Sequence, residues 1–403
     1  MRLRLFIVAL LVLASNPRAP LAARQQTAAL PVSIPFELEN HLVIVHARVN
    51  NSAPLAFILD TGASVAIVRT ETARNLGLSL QGTVNARGAG AGSQAGSLVK
   101  NATWSLVGLE RVLQPVSIAL PLPALPSSLG RPIDGIIGGE FIKQFVVEVD
   151  YESRKVRLHD RPTFAYDGPG VTLPIEFSSN GHPVVRATVT PLNHAPVAGR
   201  FLLDLGSSLA LALHSPFVAD QNLPGPETKT IRAIGGAGVG GRTAGRLGRV
   251  AALQIGSFTI HNPLTLLSED KAGAFADPSM TGNIGAQIAD RFRVFLDYAG
   301  RRIILEPLST LAEPFDRAFS GIALRADGPG FHTFRVEEVL EDSPAAEAGL
   351  TRGDIITAID GMPAEMVTLS AVNELLQKPI SRELRIRRAT GNLTIVVTPR
   401  QLI

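Results

Sequence analysis

The sequence predicts an all-β body of two lobes, followed by a small α+β domain. An internal duplication covers most of residues 31–312, and short β-branched runs bounded by turn-forming residues recur in both copies. A different pattern, with helices among the strands, begins near Phe319. The expected boundaries are 31–167 for lobe 1, 168–312 for lobe 2 and 316–403 for the C-terminal domain.

The composition agrees with packed domains and excludes several functions. Of 403 residues, 45% are hydrophobic and 18% are charged. A net charge of +3 without any block of like charges argues against nucleic-acid binding. The chain has no cysteine, and its histidines lack the spacing of a helical metal site. We therefore expect no disulfide, metal or cofactor.

The N-terminus has the pattern of an export signal. Arg2 and Arg4 precede an apolar run from Leu5 to Ala14, and a bilayer span needs about 20 residues. Small residues up to Ala23 predict cleavage after this position. We expect a signal peptide over 1–23 and a periplasmic or secreted protein without a stable membrane span; an uncleaved anchor is the alternative.

The duplication is clearest where each copy ends. Six residues recur at a constant spacing of 147, namely Phe145, Val147, Asp150, Tyr151, Arg154 and Leu158, matched by Phe292, Val294, Asp297, Tyr298, Arg301 and Leu305. Within the copies, runs such as 42–49 and 146–151 predict strands. We expect short helices only at 70–76, 139–145 and 286–292.

Each copy carries an aspartate directly after an apolar strand. Asp60 follows Phe57-Ile58-Leu59 and Asp204 follows Phe201-Leu202-Leu203, and Gly62 and Gly206 allow a sharp turn. If the two loops meet at a two-fold axis, the carboxylates share one proton, because two such close charges do not both ionise easily. One carboxylate then accepts a proton from an attacking water, and the other donates to the substrate carbonyl.

Glycine-rich segments follow both aspartates. They contain Gly88, Gly90 and Gly92 in the first copy and Gly236, Gly238 and Gly240 in the second. Glycine-rich hairpins here can close over an extended peptide, pair with its backbone and exclude water.

Over residues 31–310 the chain resembles retropepsin-type aspartic proteases, with both β-barrel lobes in one chain as in pepsin-like enzymes. Asp60-Thr61-Gly62-Ala63-Ser64 matches the family signature, while 134–138 and Asn283-Ile284-Gly285 match its apolar-apolar-Gly element. The resemblance implies that Asp60 and Asp204 are the catalytic pair and that the glycine hairpins are flaps. The residues expected to support the pair are Thr61, Gly62, Ser64, Gly206, Ser207 and Ser208.

Leu205 departs from the family pattern. The family's threonine at this point hydrogen-bonds to the opposite loop, which Thr61 can do and Leu205 cannot. Because of this departure, an alternative function stays open, namely a cell-envelope scaffold that binds peptides without cutting them. A homodimer with separate sites is a third reading, although the near-equal copies favour pairing within one chain and a monomer. We expect the Ser207 hydroxyl to hydrogen-bond Asp204, and we interpret Ser64 and Ser208 as loop supports, because no histidine is near in sequence.

The C-terminal segment predicts a compact domain of its own. Residues 342–361 predict a short helix, a β run and a tight Asp-Gly turn, followed by a helix at 368–377 and strands at 383–388 and 392–399. The segment resembles a bacterial-type PDZ domain. The resemblance implies that Phe319, Ser320, Gly321 and Ile322 form the loop whose backbone N–H groups hold a peptide's C-terminal carboxylate. The alternative is a packing domain without a ligand.

Together these expectations describe an exported aspartic endopeptidase that acts on peptides or proteins. Its C-terminal domain is expected to bind peptide tails or to regulate access to the cleft.

Overall fold

A computed structural model describes residues 30–100, 102–113, 116–233, 236–315 and 318–403. The predicted signal peptide, 1–23, lies outside these residues. Within these ranges, no helix has the length and apolar character needed to cross a membrane.

Lobe 1 consists of short strands and three short helices. The strands are β1 (Val32–Glu39), β2 (Leu42–Val49), β3 (Leu55–Leu59), β4 (Ala66–Arg69), β5 (Leu80–Ala86), β6 (Gln94–Val99), β7 (Thr103–Leu106), β8 (Leu109–Leu113), β9 (Ser117–Leu120), β10 (Gly135–Ile137), β11 (Val146–Asp150) and β12 (Lys155–His159). The helices are α1 (Thr70–Asn75), α2 (Ala124–Leu129) and α3 (Gly139–Ile142).

Lobe 2 repeats this plan with two helices. The strands are β13 (Val171–Pro174), β14 (Glu176–Phe177), β15 (Pro183–Pro191), β16 (Val197–Asp204), β17 (Leu211–Leu213), β18 (Ile231–Arg232), β19 (Ala237–Gly238), β20 (Gly241–Arg242), β21 (Gly245–Ile255), β22 (Phe258–His261), β23 (Leu264–Ser268), β24 (Gly282–Gly285), β25 (Phe292–Asp297) and β26 (Arg302–Pro307). The helices are α4 (Ser215–Asp220) and α5 (Ala286–Ala289).

The C-terminal domain is a small sheet with two helices. Its strands are β27 (Ile322–Asp327), β28 (Thr333–Val339), β29 (Ile355–Ile359), β30 (Met362–Pro363), β31 (Arg382–Arg388) and β32 (Gly391–Val397), and its helices are α6 (Pro344–Glu347) and α7 (Leu369–Leu375). The Ser343 and Thr368 side chains cap the N-termini of α6 and α7 by accepting backbone hydrogen bonds. The β27 strand lies at one edge of this sheet.

Burial patterns explain why these segments are strands. In β1, Val32, Ile34 and Phe36 are buried while the residues between them are exposed, as expected for a strand with one face on the core. All five residues of β11 are buried, because this strand lies inside a sheet shared by both lobes.

The two copies join through that shared sheet, whose order is β13-β26-β25-β11-β12-β1. At its centre β11 and β25 run antiparallel, with Val147 opposite Leu296 and Val149 opposite Val294. These strands are the matched ends of the duplication. The two lobes of this chain thus share one sheet, and the bilobed all-β prediction is confirmed.

The prediction of helices was partly wrong. Only the helix predicted at 70–76 has nearly the expected length, since α3 and α5 end after four residues. Two helices, α2 and α4, were not predicted. Both are short, and both contain proline: Pro126 in α2 and Pro216 in the first turn of α4. Short segments of this kind show too little periodicity to be recognised.

The C-terminal domain contacts both lobes. Its Phe319 and Ile403 pack with Leu264 of lobe 2 in a small buried cluster. On the other side, α2 of lobe 1 packs against β27. The domain therefore contacts lobe 2 through this cluster and lobe 1 through α2.

Candidate active site

Strand pairing places the two aspartates at equivalent points of the lobes. In lobe 1, β3 runs parallel to β10, and the backbone N–H of Asp60 donates to the Ile137 carbonyl at 2.9 Å. In lobe 2, β16 runs parallel to β24, which puts Asp204 opposite Gly285. Each aspartate thus sits at the end of a strand held by the apolar-apolar-Gly element.

The two carboxyl groups meet in one site. A Cβ atom placed at Gly62 would lie 2.8 Å from Asp204 Oδ1 and 3.1 Å from Asp60 Oδ1, so oxygens of both carboxyls lie beside the same glycine. Each also accepts a backbone hydrogen bond from its own glycine turn, from Gly62 N–H at 2.7 Å for Asp60 and from Gly206 N–H at 3.1 Å for Asp204. The structure therefore brings Asp60 and Asp204 together across 144 residues of sequence.

The glycines at 62 and 206 are required by space. A Cβ atom at Gly62 would lie 2.8 Å from Asp204 Oδ1, and one at Gly206 would lie 2.2 Å from Asp60 Cγ. Neither glycine has a positive φ. Their role is thus to let each loop approach the opposite carboxyl group.

The environment keeps one proton on the pair. Burial raises the pKa of Asp60 to about 8, and the neighbouring Asp204 charge adds to this. Burial also raises the pKa of Asp204, but a hydrogen bond from Asn283 and backbone N–H groups oppose the rise. Because the pKa of each carboxyl is raised and the two groups interact, the pair holds one proton at neutral pH.

The Thr61 side chain hydrogen-bonds to the opposite loop. Its buried hydroxyl donates to the Leu203 carbonyl at 2.5 Å and accepts from the Leu205 N–H at 2.9 Å. The Leu205 side chain is fully buried in the core. The sequence departure at Leu205 therefore leaves one bridging side chain instead of two, with a packed leucine in place of the second.

Asn283 is a site residue that sequence reasoning missed. Its Nδ2 donates to Asp204 Oδ2 at 2.9 Å, and His214 Nε2 lies 2.9 Å from its Oδ1. Asn283 and His214 are both buried. Asn283 was read as part of the apolar-apolar-Gly element, but it is polar where lobe 1 has Ile136. This polar residue at an otherwise apolar position was the signal in the sequence that could have identified Asn283, because a buried amide needs hydrogen-bond partners.

The predicted serine supports have different roles. The Ser64 hydroxyl donates to the Asn180 carbonyl at 2.7 Å and lies 2.9 Å from His182 Nε2. Ser64 therefore does have a neighbouring histidine, although this histidine is far away in sequence. Because the Ser64 hydrogen is used on a carbonyl, His182 Nε2 must donate to Ser64 and cannot act as its base. Ser64 thus ties lobe 1 to the 178–182 turn of lobe 2.

At the second aspartate, the Ser207 N–H donates to the Asp204 backbone carbonyl at 3.2 Å. The expected hydrogen bond from the Ser207 hydroxyl to Asp204 is not found between these two described residues. Ser208 is exposed.

The two glycine hairpins touch each other. Gly90 N–H donates to the Val239 carbonyl at 3.0 Å, and Gly92 N–H donates to the Gly240 carbonyl at 2.9 Å. A Cβ at Gly90 would lie 2.3 Å from the Gly240 carbonyl carbon. Gly88 accepts from Ala274 N–H at 2.9 Å, Gly238 lies against Ala89, and Gly236 accepts from Thr243 N–H at 3.2 Å to close its hairpin. The predicted flap glycines therefore form two hairpins whose tips are joined.

In the C-terminal domain, the predicted carboxylate loop is only partly available. Phe319 N–H donates to the Arg400 carbonyl at 2.8 Å, so it is not free for a ligand. The N–H of Ile322 faces the Ser320 hydroxyl at 3.4 Å. Gly321 has φ +81°, and a Cβ there would lie 2.1 Å from Ser343 Oγ, which explains the glycine.

Among the side chains that the structure describes, no three His, Cys, Asp or Glu residues converge as a metal site would require.

Comparisons with known proteins agree with this architecture. Residues 45–141 match the family model described as aspartyl protease, and residues 335–388 match the model described as PDZ domain. The chain thus combines a retropepsin-like aspartyl protease segment, within an all-β bilobed body, with a C-terminal PDZ domain.

One curated relative is "Serine protease HTRA1" from Xenopus laevis, 40% identical over 67 residues, or 17% of this chain. The match spans 14% of that relative's length. Among solved structures, the HtrA3 PDZ domain bound to a phage-derived ligand is 28% identical, with a TM-score of 0.19 over 21% of this chain and 85% of that one. Basic 7S globulin from soybean is 11% identical, with a TM-score of 0.41 over 70% of this chain and 96% of that one.

Proposed function

We propose that this protein is an aspartic endopeptidase whose catalytic dyad is Asp60 and Asp204. The observation that carries the proposal is the close approach of these carboxyl groups, one from each lobe, around Gly62 and Gly206. Their raised pKa values leave a single proton on the pair. A paired, buried acid and base is the arrangement needed for water-mediated hydrolysis.

The reaction follows from the state of the pair. The ionised carboxylate takes a proton from a water molecule, and the water oxygen bonds to the peptide carbonyl carbon. The protonated carboxyl gives its proton to the carbonyl oxygen, which forms a neutral tetrahedral diol. Proton transfer to the amide nitrogen then lets the C–N bond break, releasing an acid and an amine and regenerating the pair.

The substrate is an extended peptide held under the two flaps. Among the described residues, two backbone hydrogen bonds join the flap tips, from Gly90 and Gly92, so the tips can part to admit a chain. When the flaps are closed, their glycine-rich strands can pair with the backbone of any extended peptide and select little among its side chains. Unfolded segments are therefore the expected substrate class.

The remaining parts of the proposal concern the ends of the chain. Residues 1–23 direct export to the periplasm or medium and are removed after Ala23. The PDZ domain binds the C-terminal tail of a peptide, using the loop at 320–322. Mass spectrometry of the mature protein is expected to find Arg24 at its N-terminus; an intact N-terminus on the exported protein contradicts cleavage.

The test of the chemistry is cleavage of a denatured protein substrate across a pH series. Asp60→Asn and Asp204→Asn should each abolish cleavage, while Asp220→Asn, which changes an exposed aspartate on α4, should cleave like the wild type. Equal activity in all four proteins removes the dyad from the mechanism.

Leu205 supports a second candidate, a scaffold that binds peptides without cutting them. It predicts no cleavage by the wild type at any pH, although unfolded peptides still bind. A wild type that cleaves, and loses cleavage with either aspartate, excludes this candidate.

A further inference from the structure

Asn283 introduces an asymmetry into a site built from two copies. Asn283 and Ile136 are equivalent, since Asn283 pairs with Leu202 beside Asp204 and Ile136 pairs with Ile58 beside Asp60. Asp204 therefore receives a side-chain N–H that its partner lacks. The Ile136 side chain has no polar atom that could hydrogen-bond to Asp60.

His214 fixes the orientation of the Asn283 side-chain amide. His214 Nε2 faces Asn283 Oδ1 at 2.9 Å, and an amide oxygen only accepts hydrogen bonds, so Nε2 carries the hydrogen. His214 Nδ1 lies 3.4 Å from the Asp277 carbonyl, too far for a good N–H hydrogen bond. With Oδ1 occupied by His214, the NH₂ group of Asn283 points at Asp204 Oδ2.

We propose that Asn283 and His214 are positioning residues that keep Asp204 the ionised member of the dyad. Asp204 is then the base that takes the proton of water, and Asp60 is the acid that protonates the substrate carbonyl. The assignment rests on the proposed function for its catalytic meaning, but the location of the proton can be measured without activity.

Other charged and titratable groups nearby do not reverse this asymmetry. Burial raises the pKa of Tyr298, and the charges of Asp60 and Asp204 raise it further, so Tyr298 stays neutral beside the pair. Burial lowers the pKa of His214, with Asp277 the charged group facing it, so His214 is a neutral donor. Asn283 is thus the neighbour that distinguishes the two carboxyls.

The first experiment locates the proton directly. Carbon-13 NMR of aspartate carboxyls, assigned with Asp60→Asn and Asp204→Asn, should show Asp204 ionising at lower pH than Asp60 in the wild type. Nitrogen-15 NMR should show His214 as the Nε2–H tautomer. An Asp60 that ionises first, or an Nδ1–H tautomer, overturns the proposal even if the protein has no peptidase activity.

The second experiment uses the variant that makes lobe 2 match lobe 1. Asn283→Ile should shift the acidic limb of kcat/KM upward by about one pH unit, as expected for losing one hydrogen bond to a charge. His214→Leu should shift the acidic limb by a smaller amount. His214→Gln keeps an N–H donor and should bring the limb back close to its wild-type pH. A uniform loss of activity without a shift means that these residues are only structural.

A separate observation concerns the PDZ groove. In this fold a peptide adds to the edge strand and lies between it and the long helix, here β27 and α7. Lobe 1 covers this place: α2 packs against β27, and a Cβ at Gly130 would lie 2.5 Å from Leu369 Cβ at the start of α7. Among the described residues, no backbone hydrogen bond joins α2 to β27.

We propose that the segment 124–130 is an internal ligand that keeps the PDZ groove covered until a peptide tail displaces it. The segment packs against β27 without forming backbone hydrogen bonds to it. An extended peptide tail can form such bonds with this edge strand and therefore has an advantage over α2. Displacement acts on the active site through β9, which directly precedes this segment and pairs with the flap strand β6. The regulation of the flap rests on the proposed function, whereas the covering of the groove does not.

The test weakens the docking of α2 with a matched control. Gly130→Ala places a methyl group against Leu369, while Gly77→Ala has a similar φ, +64° against +66°, and open space around it. With a fluorescent peptide ending in a free valine carboxylate, Gly130→Ala should bind about tenfold more tightly than the wild type and Gly77→Ala. The same peptide with a C-terminal amide should bind none of them.

The outcomes separate the two claims. Equal binding by all three proteins overturns the internal ligand but leaves tail binding intact. Binding by none of them contradicts both. Hydrogen exchange on the wild type gives an independent check, because saturating peptide should increase amide exchange within 124–130; unchanged exchange on binding overturns the proposal.

Discussion

The two lobes offer the same aspartate loop but hold it in different ways. Lobe 1 contributes the bridging hydroxyl of Thr61 and backs its aspartate with the apolar Ile136. Lobe 2 replaces the second threonine with the buried Leu205 and backs its aspartate with Asn283 and His214. The comparison shows two unlike supports for similar loops: Thr61 of lobe 1 bonds to the opposite loop, whereas Asn283 of lobe 2 donates to its own lobe's aspartate.

The largest expected effect comes from the closest approach between the lobes. Gly206→Ala should reduce kcat/KM by about 100-fold or more, because its Cβ would displace the Asp60 carboxyl. Gly62→Ala should cost less, since the nearest atom to its Cβ, Asp204 Oδ1, would lie 2.8 Å away instead of 2.2 Å. A steady-state assay of both variants compares the lobes, and equal losses would contradict the difference in fit.

Thr61 should matter more for stability than its size suggests. Thr61→Val keeps the shape but leaves the Leu203 carbonyl and the Leu205 N–H without this partner, at a cost of about 2 kcal/mol or more. Chemical denaturation measures this, with Thr61→Ser as the control that keeps the hydroxyl. A Thr61→Val protein as stable as Thr61→Ser would mean that the bridge contributes nothing.

Leu205→Thr restores the family residue and tests whether lobe 2 needs it. We expect a loss of about 1–3 kcal/mol in unfolding free energy, because a packed leucine is replaced by a smaller polar side chain. We expect no gain in activity, because Thr61 already joins the loops. Leu205→Met, which keeps the volume, should be nearly neutral; a more active Leu205→Thr protein would identify the missing threonine as a real weakness.

The shared proton should appear in the stability of the protein. The pKa of Asp60 is raised in the folded state to about 8, so the unfolded chain releases this proton first as the pH rises from about 4. Wild-type stability should therefore fall between pH 4 and pH 8 relative to Asp60→Asn. Thermal unfolding of both proteins measures the gap, and a gap that stays constant with pH would contradict the raised pKa.

The smallest effect concerns the contact between the lobe 2 flap and the PDZ domain. Arg242 follows the flap tip and pairs with Glu337 at 3.3 Å and with Glu338. Since about half of its side chain is exposed, Arg242→Ala should cost no more than about 1 kcal/mol, and less at high salt. Arg385→Ala, at a pair within the PDZ domain, is the control for a general effect of charge. A salt-independent loss above this size would mean that the contact does more than pair charges.

Sequence reasoning reached the parts of the molecule that repeat. Matched residues at a constant spacing predicted two lobes, and the two aspartate loops predicted that Asp60 and Asp204 meet. The pairing of β11 with β25, the matched closing strands, was not predicted. The PDZ domain was recognisable because its helix caps, glycine turn and strands are local in sequence, and the observed bounds differ from the predicted ones by only a few residues.

The missed features depend on contacts that no local pattern encodes. Asn283 reaches Asp204 across 79 residues and His214 across 69, through the pairing of β24 with β16 and β17. Ser64 meets His182 across 118 residues. The position of α2 on β27 depends on how two domains dock, and the sequence of a six-residue helix with a proline gives no sign of this.

The most direct test of the central claim is the binding of a statine-containing peptide, a mimic of the tetrahedral diol, measured by titration calorimetry. If one carboxyl from each lobe forms a single site, the wild type should bind one molecule per chain, and Asp60→Asn and Asp204→Asn should each abolish binding. Two molecules per chain, or undiminished binding by either variant, would contradict a shared dyad.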